Sequence, residues 1–159
     1  MKAPQYTVVF LLRNDKVLLA MKKRGFGEGK WNGAGGKVEP GETFTDAAIR
    51  ECQEEIGITP IKPRHVANLI FIEHHNGEKH ELDVRVFVCT KWEGEPTESE
   101  EMAPRWFEAN NLPYQKMWAD DPHWLPNILR GEKIHGKFAL DKNGQLVSHS
   151  VKQVSSVSL

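Results

Sequence analysis

The segment 36–58, GKVEPGETFTDAAIRECQEEIGI, constrains the fold more than any other part of this 159-residue chain. Thr43, followed three residues later by Asp46, resembles a capping box with Asp in place of the usual Glu or Gln. Gly57 suits the left-handed residue that follows a helix end. Because no glycine or proline interrupts the run between them, the segment predicts a helix of about three to four turns.

The acidic side chains of this predicted helix gather on one side. At about 100° per residue, Glu51, Glu54 and Glu55 fall within an arc of about 100°. The pattern therefore predicts a carboxylate face opposite a buried stripe formed by Thr45, Ile49, Cys52 and Ile56. Three close carboxylates repel one another unless a cation lies among them. Mg²⁺, which bridges carboxylates to phosphates, is the natural candidate, and the alternative is a solvated acidic face braced by Arg50.

The spacing of the whole segment favours the metal site. In one-letter code, with x for any residue and U for an apolar residue, the spacing is Gx5Ex7REUxEExGU. A chance match in a chain of this length is on the order of 10⁻⁷. This pattern resembles the complete Nudix box, carried here by Gly36, Glu42, Arg50, Glu51, Glu54, Glu55, Gly57 and Ile58. Cys52 departs from the larger aliphatic that is usual at its position, and a buried thiol packs as a small hydrophobe.

The resemblance implies both a fold and a metal site. The expected fold is an α/β (α+β) Nudix-type α/β/α sandwich with a mixed β-sheet, formed as one domain by residues 1–159. The implied cofactor is Mg²⁺, with Mn²⁺ as a possible substitute. Glu42 and Arg50 would brace the loop and helix, and Arg50 is counted with the catalytic residues. The implied metal ligands are the carboxylates of Glu51, Glu54, Glu55 and Glu101 and the carbonyl of Gly36. The same four glutamates, with Arg50, are the implied catalytic residues.

Further segments are similar to the Nudix hydrolases that act on oxidised purine nucleoside triphosphates such as 8-oxo-dGTP and 2-hydroxy-dATP. These segments are 21–42, Glu101-Met102, Trp106-Phe107 and 117–121. Asn32, Asp120 and Asp121 would then hydrogen-bond the base, and Trp118 would stack on it. The remaining implied substrate contacts are Phe26, Phe71, Met102, Lys22 and Thr7. Ala34 stands where relatives commonly carry an aromatic residue, which implies a larger or flatter pocket edge.

The adjacent acids Asp120 and Asp121 suit recognition of a purine edge, which mixes hydrogen-bond donors and acceptors. Like charge and desolvation both raise a carboxyl pKa, so the two groups should not ionise independently. One carboxylate would accept a hydrogen bond while its protonated neighbour donates one. We therefore expect the pair to accommodate differently oxidised purines by shifting a proton between the two carboxyls.

Composition limits the other functional classes. With 21 basic and 22 acidic residues, no long-range field favours duplex nucleic acid or an anionic membrane. The apolar run 8–12 is too short for a signal peptide or a membrane span, and Cys52 and Cys89 suit free thiols. We expect a cytoplasmic, monomeric protein whose partner is a small-molecule nucleotide.

The remaining segments predict a sheet and one short second helix. Strands are expected at 6–12, 17–21, 64–73, 81–92 and 105–107, with a hairpin turn at Asn76-Gly77 and a closing hairpin at 133–154. Pro122 is expected to start a helix that runs to about residue 130, with Asp121 as its N-cap. His74, His75 and His80 lack zinc-ligand spacing and are expected to face solvent.

Three other functions remain open to the sequence. A Nudix enzyme of this kind can act on another purine nucleotide: ADP-ribose, a dinucleoside polyphosphate or a methylated purine nucleotide. A binding module that has lost turnover would normally lack one of the box carboxylates, and all are present. An isoprenoid diphosphate isomerase would need a cysteine in the pocket, whereas Cys52 belongs to the buried stripe.

Overall fold

The computed structural model describes residues 3–159, except for the side chain of His75. Ten strands and two α-helices follow one another along the chain. They are β1 (Gln5–Arg13), β2 (Lys16–Lys22), β3 (Trp31–Asn32), α1 (Phe44–Ile56), β4 (Thr59–Pro60), β5 (Arg64–His75), β6 (Glu78–Cys89), β7 (Trp92–Glu93), β8 (Met102–Glu108), α2 (Leu125–Leu129), β9 (Lys133–Leu140) and β10 (Leu146–Val154).

One large mixed sheet contains eight of these strands. Its order is β10-β9-β5-β6-β1-β2-β3, and β8 pairs with β2 on the edge opposite to β3. The pairs β1–β6 and β5–β9 are parallel, whereas β1–β2, β5–β6, β2–β8 and β9–β10 are antiparallel. β4 and β7 form a separate two-stranded sheet. The mixed sheet expected from the sequence is therefore confirmed.

The two faces of the sheet carry separate apolar clusters because side chains alternate along a strand. In β1, Val9 and Leu11 pack in the cluster that includes Ala48, Cys52 and Ile56 of α1. Phe10 lies in the other cluster, with Trp124, Leu125 and Ile128 from the α2 region. A helix therefore covers each face, in agreement with the predicted α/β/α layers.

The caps of α1 are those that the sequence predicts. The hydroxyl of Thr43 accepts a hydrogen bond from the Asp46 amide at 3.0 Å, and Gly57 is left-handed with φ 71°. The turn between β5 and β6 has positive φ at both Asn76 and Gly77, which confirms the predicted hairpin. Among residues 3–159, neither helix combines the length and apolar character needed to cross a membrane.

Two predictions about element boundaries are wrong. The second helix is split into a 3₁₀ turn, Asp121–His123, and the short α2, with Trp124 between them. Asp121 does not cap it, because its carboxylate accepts a hydrogen bond from the Trp118 amide at 3.1 Å. The strand expected at 81–92 ends at Cys89, and Trp92 lies in β7. His74 and His80 are exposed as expected, and the prediction for His75 falls outside the described side chains.

Candidate functional site

The loop between β3 and α1 brings backbone against β1 and presents an amide to the helix. Ala34 and Lys37 form β-bridges with Val9 and Tyr6 of β1. A Cβ at Gly35 would lie 1.9 Å from the Thr7 carbonyl oxygen, so only glycine fits there. The Gly35 amide donates a hydrogen bond to Glu55 Oε1 at 2.7 Å. The close approach of the loop thus fixes one oxygen of the Glu55 carboxylate.

Glu51 lies against the next glycine of the loop. An ideal Cβ at Gly36 would stand 2.6 Å from the Glu51 carboxyl carbon, so this side chain occupies the space that glycine leaves. The Gly36 carbonyl oxygen accepts a hydrogen bond from the Thr7 amide at 2.9 Å. The Thr7 hydroxyl donates a second, long hydrogen bond of 3.5 Å to the same oxygen, so a cation that bound this carbonyl would replace the weaker of the two bonds.

Arg50 braces the helix against the loop, as the sequence predicts. Its Nε donates to Glu42 Oε2 at 2.7 Å and its Nη1 to Glu51 Oε1 at 3.0 Å. Its Nη2 donates to Glu42 Oε1 at 3.0 Å and to the Lys37 carbonyl at 3.1 Å. The hydrogen bond from Arg50 lowers the pKa of Glu42. Arg50 is thus a structural brace of the acidic helix face rather than part of the cavity lining.

The three helix glutamates do not share one environment. Glu55 is buried, with 8% of its surface exposed, whereas the Glu54 side chain is 59% exposed and lies 3.3 Å from Arg50 Nη1. Glu54 and Glu55 mark opposite edges of the predicted arc, so turning one edge towards the sheet turns the other towards solvent. The predicted carboxylate face is therefore uneven, because Glu55 is turned inward and Glu54 towards solvent. Within residues 3–159, no three acidic, histidine or cysteine side chains are arranged to hold a metal ion.

The donor atoms at this site nevertheless fit a hard divalent cation. Carboxylate and carbonyl oxygens are the ligands that Mg²⁺ prefers, and Glu51, Glu55 and Gly36 supply both kinds. Burial, followed by the charges of Glu51 and Glu101, raises the pKa of Glu55 to about 7. Burial also raises the pKa of Glu51. A cation among these groups would offset the cost of keeping them ionised.

Glu101, from the loop that precedes β8, lies beside this acidic group but is paired with cations. Its carboxylate is 2.9 Å from Arg24 Nη2 and 3.4 Å from Lys22 Nζ. Hydrogen bonding to Arg24 lowers the pKa of Glu101. The structure thus places Glu101 at the end of the site nearest to the basic triplet Lys22-Lys23-Arg24, which lies at the end of β2.

Two adjoining cavities collect the predicted substrate residues. The larger, about 540 Å³, is lined at one end by Thr7, Lys22 and Gly36. The smaller, about 160 Å³, is lined by Asp120, Asp121 and Phe71. Phe26, Asn32 and Trp118 line both cavities, and Met102 lines the larger. All nine predicted substrate residues therefore line one or both of two cavities that share Phe26, Asn32 and Trp118.

The acid pair forms the floor of the smaller cavity. Asp120 and Asp121 are 7% and 2% exposed, and Asp120 Oδ2 accepts a hydrogen bond from Trp124 Nε1 at 2.7 Å. Burial raises the pKa of both carboxyls, and the charge of Asp120 raises that of Asp121 further. The hydrogen bond between the carboxyls lowers the pKa of Asp120 and raises that of Asp121. The pKa of Asp121 is therefore raised more than that of Asp120, so a proton shared by the pair favours Asp121.

Two of the residues predicted to contact the base are held by their neighbours in the glycine loop. Asn32 Oδ1 accepts a hydrogen bond from the Gly33 amide at 2.8 Å, which leaves the Asn32 NH₂ group to donate. The Trp118 ring lies 5.2 Å from the Phe26 ring and 5.1 Å from Lys30 Nζ. Phe26 is 81% exposed. The loop thus forms one wall of the pocket mouth through these contacts with Trp118.

The structure shows lining residues that the sequence analysis missed, and it contradicts one prediction, about Ala34. The added residues include Tyr6, Val8, Gly27, Lys30, Glu73, Leu82 and Val84. The alternation of β1 was a usable signal for Tyr6 and Val8, whereas Leu82 and Val84 read as ordinary strand residues. Ala34 is 4% exposed and packs on the α1 side of the sheet. It does not line either cavity, so the expected change in the pocket edge is wrong.

Glu55→Gln is expected to raise the melting temperature in metal-free buffer by several degrees at pH 8 and to change it little at pH 5. The pKa of Glu55 is raised from 4.5 to about 7 in the folded chain, so the folded state keeps a proton that the unfolded chain releases between these values. The free energy of unfolding of the unmodified chain therefore falls as the pH rises through that window. The amide does not titrate and avoids the loss. Calorimetry of both proteins checks this, and an equal gain at pH 5 would contradict it.

Comparisons with known proteins agree with this geometry. The NUDIX domain matches residues 2–128. The chain is 42% identical, over 95% of its length and 96% of theirs, to proteins named oxidized purine nucleoside triphosphate hydrolase from Danio rerio and Mus musculus. It also superposes on a MutT protein from Bacillus halodurans with a TM-score of 0.83 and 27% identity, covering 93% of this chain and 97% of that one.

Three observations point to the same family. The domain match covers most of the chain, the relatives have nearly equal length, and the arginine and glutamates of the Nudix box join the helix to the loop. The chain therefore belongs to the Nudix family.

Proposed function

We propose that this chain hydrolyses oxidised purine nucleoside triphosphates, such as 8-oxo-dGTP and 2-hydroxy-dATP, to the nucleoside monophosphate and diphosphate. The observation that carries the proposal is the buried pair Asp120 and Asp121, in a cavity that adjoins the one lined by Gly36 of the box. Such a pair offers one donor and one acceptor to a purine edge. The relatives from zebrafish and mouse, which carry the corresponding name over nearly the whole chain, support the same substrate class.

The base would bind at the end of the pocket formed by the smaller cavity. Trp118 offers a ring for stacking, and aromatic stacking of a base is worth about 1–3 kcal/mol. The NH₂ group of Asn32 donates a hydrogen bond, and Asp120 and Asp121 complete the reading of the edge. Phe26, Phe71 and Met102 supply apolar walls that exclude water from these hydrogen bonds.

The triphosphate would lie at the opposite end of the pocket, near the acidic helix. Mg²⁺, or Mn²⁺ in its place, neutralises phosphate charge when bound and lowers the pKa of a coordinated water. In this proposal Glu51, Glu54, Glu55 and Glu101 hold the metal together with the Gly36 carbonyl. Lys22 lines the cavity close to Gly36 and orients the phosphates, while Thr7 fixes the Gly36 backbone. The proton of the attacking water passes to the carboxylate of Glu51, Glu55 or Glu101.

Specificity constants for a panel of nucleotides test this assignment. With Mg²⁺ present, kcat/KM for 8-oxo-dGTP or 2-hydroxy-dATP is expected to exceed that for dGTP. The panel includes ADP-ribose, a dinucleoside polyphosphate and a methylated purine triphosphate, because a stacking ring and an acid pair suit any purine. A higher kcat/KM for one of these would replace the proposed substrate, and no turnover of any would favour a binding module.

We further propose that the protein acts as a cytoplasmic monomer built as one domain. The main sheet joins strands from both ends of the chain, since β1 pairs with β6 and β9 with β10. The thiols of Cys52 and Cys89 are free and buried, as suits a reducing compartment. Sedimentation velocity at several protein concentrations tests the oligomeric state.

A further inference from the structure

The basic triplet at the end of β2 faces the acidic segment 98–101, which leads into β8. The Lys23 amide donates a hydrogen bond to the Glu101 carbonyl at 2.8 Å, which sets the two segments side by side. Lys23 pairs with Glu98, and its Nζ also donates to the Ser99 carbonyl at 2.9 Å. Arg24 Nη2 lies 3.3 Å from Glu100 Oε2. Each cation of the triplet therefore has an acidic partner in this segment.

Glu101 differs from its neighbours because cations engage both of its carboxylate oxygens. Oε1 accepts hydrogen bonds from Arg24 Nε at 3.1 Å and from Arg24 Nη2 at 2.9 Å. Oε2 accepts a hydrogen bond from Lys22 Nζ at 3.4 Å. Hydrogen bonds between charged groups are stronger than neutral ones. The orientation of this carboxylate is thus fixed chiefly by Arg24, which makes two of the three bonds.

The same carboxylate lies close to the acidic site on the other side. The charge of Glu101 contributes, with that of Glu51, to the raised pKa of Glu55. Lys22, which pairs with Glu101 at 3.4 Å, also lines the larger cavity together with Gly36. Glu101 therefore stands next to the candidate metal site while its oxygens are turned to Arg24 and Lys22.

We propose that Arg24 is a positioning residue that holds the Glu101 carboxylate away from Glu51 and Glu55 and thereby lowers the affinity of the site for divalent metal ions. To join a metal shell, the carboxylate has to give up its hydrogen bonds to Arg24. The strength of this ion pair is therefore subtracted from the binding free energy of the metal. The inference rests on the metal site of the proposed function but not on the identity of the nucleotide.

Titration of the full-length protein with Mg²⁺ and with Mn²⁺ in the absence of nucleotide tests the proposal. Arg24→Ala is expected to bind both metals about twofold to fivefold more tightly, the range that one exposed ion pair supplies. Lys23→Ala is the matched control, because it removes the same charge from the adjacent position but leaves Glu101 paired. At 0.15 M salt, where screening acts over about 8 Å, this control is expected to keep the unmodified affinity.

Glu101→Gln and the double variant R24A/E101Q complete the test. Glu101→Gln is expected to bind metal more weakly, and the double variant should bind no more tightly than Glu101→Gln alone. An unchanged affinity in Arg24→Ala, an equal gain in Lys23→Ala, a gain retained in the double variant or normal binding by Glu101→Gln would each overturn the proposal. If Arg24→Ala tightens metal binding while the nucleotide panel shows no oxidised-purine turnover, the positioning role stands and the proposed substrate is wrong. Circular dichroism confirms that all variants fold.

Discussion

Glu55→Gln is expected to lower kcat for the oxidised purine triphosphate by about 10²- to 10⁴-fold, the range for a positioned acid–base or charge-bearing group. Glu55 is the most buried of the helix carboxylates, and the Gly35 amide fixes one of its oxygens at 2.7 Å. The amide oxygen of Gln can still accept that hydrogen bond, so the loop should keep its place. What the substitution removes is the negative charge that a bound cation requires. Steady-state kinetics with saturating Mg²⁺ measures the loss.

Glu39→Gln is the control for this experiment. Glu39 carries the same charge at the edge of the same network, 3.8 Å from Arg50 Nη1, but its side chain is 66% exposed. An exposed pair of this kind contributes little, so kcat is expected to stay within about twofold of the unmodified value. Equal losses in both variants would show that net charge around Arg50, and not the Glu55 carboxylate, limits the reaction.

The combination of lost activity and increased stability at pH 8 in one variant would identify Glu55 as a strained functional group. Its pKa of about 7 reflects burial of the carboxyl, which the hydrogen bond from Gly35 and the charge of Lys22 offset only in part. The position of Glu55 can be identified from local sequence, because the whole Nudix spacing lies within 23 residues. The caps of α1, its length and the brace from Arg50 to Glu42 are likewise local, and the sequence predicts each of them.

Features that depend on distant packing are those that the sequence did not reveal. The packing of α1 on Val9 and Leu11 decides which edge of the glutamate arc is buried. Helical spacing alone therefore could not predict that Glu55 is buried and Glu54 exposed. The engagement of Glu101 by Arg24 joins positions 77 residues apart. Ala34 was assigned to the pocket by analogy with an aromatic residue, whereas the bridge to Val9 places it on the opposite face of the sheet.

The Asp120 and Asp121 pair depends both on local sequence and on packing that the sequence did not reveal. Their adjacency is visible in the sequence, but their near-complete burial comes from the 3₁₀ turn that replaced the predicted N-cap. As a cap, Asp121 would have faced solvent and ionised normally. Instead, its carboxyl is buried, accepts a hydrogen bond from the Trp118 amide and retains a proton because Asp120 is charged beside it. The irregular helix is thus what makes the pair suitable for reading a base.

Asp120→Asn and Asp121→Asn are expected to shift the ratio of kcat/KM for 8-oxo-dGTP over 2-hydroxy-dATP in opposite directions, by about tenfold to hundredfold each. The size follows from leaving one buried polar group unpaired, about 1–3 kcal/mol. Asn at position 121 is neutral, as protonated Asp121 is, so Asp121→Asn fixes the arrangement in which position 121 donates and Asp120 accepts. Asp120→Asn removes the charge that raises the Asp121 pKa, so Asp121 ionises and the arrangement is reversed. Each variant therefore retains one substrate and loses the other.

Parallel kinetics on the two triphosphates, with Asp15→Asn as control, decides whether the proton shifts between the carboxyls. Asp15 is exposed in the turn between β1 and β2, so its substitution should leave the ratio unchanged. If the unmodified protein hydrolyses both substrates and the two pair variants leave their ratio intact, a single arrangement of donor and acceptor serves both bases and the shifting proton is excluded. If both variants lose both substrates equally, the pair holds Trp118 and Trp124 in place through the bonds at 3.1 and 2.7 Å, rather than reading the base.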